Sequence, residues 1–215
     1  MKITIGYLYY DLLNLYGDSG NIKTLLYHLK EQDIDVNVKY MTIGDEKDFS
    51  DVDMLYVGSG TENNILLALE DLKKDEKKIK EYIKNNKILL ATGNALELFG
   101  NYIISKNKIK ALGIEDYVVM FKNRTVKDVK NAKFNDLEII GFENHAGENL
   151  SNSEEIINNG SFYATYIIGP ILVRNPKLCS YFVHKLIDSK DDKFNYKEED
   201  YELDELAYKK TVGTI

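Results

Sequence analysis

The chain has 215 residues, 44% hydrophobic and 29% charged, which suits one domain of generous size with a buried core. Its 28 lysines and arginines against 35 aspartates and glutamates give a net charge of −7. That argues against a nucleic-acid-binding role, because phosphate binding rests on clustered positive charge.

No apolar run approaches the roughly 20 residues a membrane-crossing helix needs. The lone Cys179 excludes an internal disulfide and a cysteine-built zinc site. The opening MKITIGYLYY reads as a strand and lacks the basic region, long apolar stretch and small-residue cleavage site of a signal peptide, so a cytoplasmic protein is expected. After a polar loop, Ile22, Leu25, Leu26 and Leu29 recur at helical spacing. DVNVKYMTI alternates with period two, as a partly exposed strand does, and DMLYVG is a short buried-type strand ending at Gly58. One long helix is predicted next, with Ile65, Leu69, Leu72, Ile79 and Ile83 on its apolar face and the KKDEKKIK run in solvent.

The fourth strand, Ile88 to Ala91, ends at Thr92-Gly93-Asn94 and passes at once into a helical pattern. A strand, tight turn and helix is how many α/β enzymes present a nucleophile. The outward position here is glycine. Strands alternating with helices predict an α/β fold, a mostly parallel sheet with helices on both faces, whose ligands gather at the carboxyl ends of the strands. Those ends are Tyr9 to Asn21, Gly58 to Asn63 and Thr92 to Glu97.

The second half is less regular. DLEIIGFENHAG reads as a strand with a polar end, and GSFYATYIIGPIL as another meeting a turn at Gly169-Pro170. Pro176 fits the first turn of a helix through Phe182 and Leu186. The boundaries that follow are a main domain over residues 1–187 and a charged, partly helical tail over 188–215. No phosphate loop or dinucleotide fingerprint is present, and neither a cofactor nor a metal is expected.

Five segments in chain order carry a resemblance: YYDLLNLYGDSGNI, YVGSGTENN, GNALELFG, GFENHAG and ATYIIGPILVRNP. Together, over about residues 5 to 185, they resemble the class I glutamine amidotransferases of the cobyric-acid-synthase type. Within these they are most similar to the glutaminase subunits of lipid II isoglutaminyl synthases. The resemblance implies a flavodoxin-like domain that hydrolyses glutamine and hands ammonia to a Mur-ligase-like synthetase. In active relatives the elbow reads roughly Cys-Gly-Gly-Tyr-Gln-Leu-Leu-Gly, and a histidine precedes a Gly-Pro. Aligned without a gap, Gly93 stands at the cysteine position, or Thr92 if the register moves by one, and Ile168 stands at the histidine position. Glycine offers no thiolate and isoleucine no base, so glutamine hydrolysis is expected to be lost.

The expected ligand-binding groups are Gly58, Ser59, Gly60, Asn94, Glu97, Asn144 and His145. Gly58-Ser59-Gly60 either exposes N–H groups as the family's oxyanion loop does or is only a tight turn. Glu97 either lines the cleft or faces solvent in the first helical turn, and His145 either contacts a ligand or hydrogen-bonds at a strand end. YGDSGN reads as an N-cap by Asp18 or Ser19 as well as a family loop. Three readings follow: a non-hydrolytic subunit of a Mur-ligase-like synthetase, with room for a small ligand such as glutamine; a divergent active amidotransferase built on Thr92 or His145, acting on a cell-wall precursor or a cobyric-acid-like substrate; and an unrelated free-standing α/β domain.

Overall fold

The computed structural model describes residues 1–151, 154–198 and 201–213. Its first half forms as the hydrophobic pattern dictates. Strands β1 (Lys2–Leu8), β3 (Met54–Val57) and β4 (Ile88–Thr92) are buried nearly throughout, as central parallel strands must be. β2 (Asp35–Met41) alternates because it is the sheet edge. With β9 (Ile156–Asn158) and β10 (Phe162–Thr165) they form a six-stranded sheet in the order β2-β1-β3-β4-β10-β9. Every pairing is parallel except that of β10 with β9.

Each face of this sheet carries its own core. Ile3, Ile5 and Tyr7 of β1 pack with Ile22, Leu25 and Leu29 of α1 (Ser19–Glu31), and with Leu178, Phe182 and Leu186 of α5 (Pro176–Asp188). Leu55, Val57, Leu89 and Ala91 point the other way, onto Ile65, Leu69 and Leu72 of α2 (Glu62–Leu72) and Ile79 of α3 (Glu76–Lys84). Each fully buried aliphatic side chain contributes about 1.5–3 kcal/mol. The single helix expected over Ile65 to Ile83 is broken by a 3-10 turn at Lys73–Asp75.

A second sheet accounts for the irregular middle of the chain. Its strand order is β11-β8-β7-β5-β6, with β5 (Tyr102–Ile104), β6 (Lys108–Lys110), β7 (Val118–Phe134), β8 (Leu137–Asn149) and β11 (Ile167–Ile168). The long β7–β8 hairpin turns at Asn135, whose φ of 51° is the left-handed value asparagine tolerates. Asn175 staples the hairpin to the helical layer between α4 (Ile171–Arg174) and α5. Its side-chain amide accepts from Ile140 N and donates to Ile140 O and Ile171 O, each at 2.8 Å.

At the C-terminus, α6 (Glu202–Val212) lies against α4 and α5, with the Tyr208 hydroxyl donating to Glu138 O at 2.7 Å. Residues 199–200 and 214–215 of the charged tail lie outside the described residues. No helix among the described residues is long and apolar enough to cross a membrane.

Candidate functional site

β4 ends in extended geometry at Thr92, and the next residue, Gly93, has φ +61°. This left-handed value at the tip of a central strand is the sharp backbone of a nucleophile elbow, and it places Gly93, not Thr92, on the turn. The residues that follow, Gly93–Leu98, wind into a six-residue 3-10 helix rather than the α-helix their pattern suggests.

The space above the turn is occupied. A Cβ on residue 93 would lie 2.5 Å from Ser59 Cβ and 2.8 Å from Ile168 Cγ2. Gly58, Ser59, Gly60, Asn94 and Ile168 are all buried around the same point. Asn94 closes one side: its amide donates to Gly60 O at 2.8 Å and accepts from Gly60 N at 3.0 Å. The Gly60 N–H is thereby committed within the chain. Gly58 has no room for a side chain because a Cβ there would lie 2.4 Å from Leu13 O and 2.6 Å from Asp18 Cβ, and Leu15 N donates to Ser59 O at 3.0 Å. The segment before α1 therefore seals the tips of β3 and β4.

Asp18 organises that seal. It stands at the N-cap of α1 but makes no side-chain cap bond; its carboxylate turns inward. Ser59 Oγ donates to it at 2.7 Å, Thr92 Oγ1 at 3.1 Å and Tyr56 OH at 3.3 Å. Burial pushes the Asp18 carboxyl up, and the Ser59, Tyr16 and Thr92 donors hold it back. Asn21 extends the network, donating to Tyr56 OH at 2.7 Å and accepting from Leu172 N at 2.8 Å.

His145 and Asn144 part company on β8. Alternation places Glu143, His145 and Gly147 on the inner face, whereas Asn144 faces outward and accepts from Arg124 Nη1 at 2.8 Å. The His145 ring stacks on Tyr166 with centroids 3.8 Å apart and planes within 10°. Its Nδ1 lies 2.6 Å from Gly147 O and its Nε2 3.3 Å from a Glu143 carboxylate oxygen. Burial pushes Glu143 up, but His145 and Lys127 bring it below the usual carboxylate range. Glu143, His145 and Tyr166, with Leu96 and Glu148, line an open cleft of about 580 Å³.

Glu97 does not face solvent and is not among the residues lining that cleft. It is 1% exposed, and its Oε2 is buried without a hydrogen-bond partner. Burial raises its pKa to about 8; the Glu62 charge adds to this, and Tyr166 and Arg124 offset part of it.

The structure thus brings Gly58, Ser59, Gly60, Gly93, Asn94 and Ile168 together in a closed centre. It sets His145 in a neighbouring cleft, Glu97 beneath the protein surface and Asn144 on the outer face. Glu143 and Tyr166 stand beside His145 without having been singled out from the sequence. The period of two through GFENH was the available signal for Glu143. The inward turn of Asp18 carried no comparable signal, because N-cap residues usually serve their own helix.

The sheet order, its helical covering and the left-handed elbow define an α/β domain with the backbone of a class I amidotransferase. Residues 4–172 match the CobB/CobQ-like glutamine amidotransferase domain family. Two relatives bear the name lipid II isoglutaminyl synthase (glutamine-hydrolyzing) subunit GatD. The one from Streptococcus pneumoniae is 30% identical over 202 residues, covering 82% of this chain and 77% of the relative. The one from Staphylococcus aureus is 29% identical over 223 residues, covering 94% and 92%. Among solved structures, a glutamine amidotransferase superposes with a TM-score of 0.54 at 16% identity, covering 85% of this chain and 98% of that one. The chain belongs to the CobB/CobQ-like glutamine amidotransferase family.

Proposed function

We propose that this chain is an amidotransferase-like subunit that does not hydrolyse glutamine and serves a Mur-ligase-like amidating synthetase as a binding partner. One observation carries the reading. The volume into which a nucleophile on residue 93 would project is filled by Ser59 and Ile168, so the turn lacks both a reactive side chain and room for one. The names of the two relatives, each a subunit of a lipid II isoglutaminyl synthase, support a partnered role in amidating a cell-wall precursor. We read residues 1–187 as the amidotransferase-like domain and 188–215 as its charged tail, acting in the cytoplasm.

An active enzyme rebuilt on Thr92 or His145 is the competing reading. Against it, Thr92 is 1% exposed and its hydroxyl is committed to Asp18 and Tyr56, the latter at 2.7 Å. Both His145 nitrogens already face acceptors in the chain. A small ligand such as glutamine would have to lie in the cleft beside His145, away from Gly93. The test is ammonia release from glutamine by the purified chain, alone and with the synthetase. No release above the blank is expected; turnover at a rate typical of a glutaminase would overturn the reading.

A further inference from the structure

At the carboxyl ends of β1 and β2 the surface carries an aromatic patch that no part of the closed centre uses. Tyr40 is 57% exposed, Ile43 44% and Tyr10 39%. The Tyr10 and Tyr40 rings meet edge to face with centroids 5.1 Å apart, and buried Tyr7 backs both at 6.3 Å. Thr42 joins the two loops: its hydroxyl donates to Asp11 Oδ1 at 2.6 Å and its N–H to Asp45 Oδ2 at 2.8 Å. Both carboxylates are exposed and so form a negative rim. The cations next to them are engaged elsewhere, Lys39 with Asp51 at 2.5 Å and Lys47 with Asp71 at 2.5 Å.

The patch is held from beneath by groups that are costly to bury. Lys47 is 1% exposed; besides Asp71 it donates to Thr42 O at 3.1 Å and Asp45 O at 3.4 Å. Asp71 also accepts from Gly44 N at 3.2 Å and from Tyr9 OH at 3.0 Å. Tyr9 itself has φ +54°, a strained value for tyrosine, and its N–H donates to Met41 O at 2.6 Å. A buried ion pair adds little net stability over apolar packing, but it fixes one conformation. Here it fixes the loop that carries Ile43 and Asp45. A surface ordered in advance loses little entropy on binding.

We propose that Tyr10, Tyr40 and Ile43, rimmed by Asp11 and Asp45, form the docking surface for a basic face of the synthetase subunit. An arginine or lysine of that partner would lie over the tyrosine rings. The partner's identity rests on the function proposed above. Tyrosine faces attract guanidinium and ammonium groups, and flanking carboxylates strengthen that attraction. The same rim repels phosphates, which disfavours nucleic acid or an anionic membrane as the occupant.

The test is the dissociation constant between the full chain and the synthetase, measured for wild type, Tyr10→Ala, Tyr40→Ala and the remote control Leu203→Ala. Melting curves confirm that each variant is folded. The expected result is binding about tenfold weaker for either tyrosine variant, unchanged for the control, and weakened by salt. Equal affinity for all four overturns the docking surface and leaves the partner role standing. Absence of any complex overturns both. Self-association lost on removing the tyrosines assigns the surface to a second copy of this chain and also overturns the proposal. Ammonia release, by contrast, bears only on the function proposed above.

Discussion

Gly93 has a backbone that a residue with a side chain adopts only under strain, and its neighbours fill the space such a side chain would need. Gly93→Cys should therefore fail on two counts. It should destabilise the fold by about 1–3 kcal/mol through strain and overpacking, and it should release no ammonia from glutamine. Thermal melting and the glutaminase assay check the two outcomes separately. Glu97 makes a second prediction at this scale. Between its ordinary value near 4.5 and its folded value of about 8, the folded chain binds the proton more tightly than the unfolded chain. Stability should fall as pH rises through that window and level off above it. Glu97→Gln should flatten this decline, which urea unfolding at several pH values would reveal; an unchanged slope would remove Glu97 as its source.

Among the elements, the loop between β2 and β3 depends on a buried pair for its shape. Burial acts to raise the Asp71 carboxyl, yet Lys47, the Gly44 N–H and the Tyr9 hydroxyl hold it at about 2. Its contribution is present above the ordinary carboxylate value and is lost as pH falls towards 2. Lys47→Met removes the buried cation and leaves Asp71 only the exposed Lys74 at 3.3 Å, and should cost up to about 3–5 kcal/mol, measured by denaturant unfolding at neutral pH. Most of the first half was legible at this scale. β1, β3 and β4 are apolar runs of strand length between turn residues, and α1 shows a clean helical period. The hairpin was half legible: β8 shows apolar alternation, but β7, beyond its short pairing with β5, exposes Lys122, Arg124 and Lys127 and so lacks there the buried face that betrays a strand. The 3-10 helix after the elbow reads as α-helix in sequence because its apolar residues are buried on all sides and carry no reliable period.

Across the whole molecule, the elbow, the loop ending at Gly60 and the turn at Gly169 converge from distant parts of the chain to close one point. The identity of the residues at positions 93 and 168 was visible in the sequence. What was not visible is that Ser59 and Ile168 fill the space above Gly93, or that Asp18 ties Ser59 and Thr92 together beneath it, since both depend on packing between segments far apart in the chain. The sealed centre belongs to a chain whose free chemistry lies elsewhere, in an acidic aromatic patch and a cleft beside His145. The most direct test of the account is ammonia release from glutamine by the wild-type chain saturated with the synthetase proposed as its partner. It predicts a rate no higher than the synthetase alone. Release that disappears on Thr92→Val or His145→Ala would contradict it.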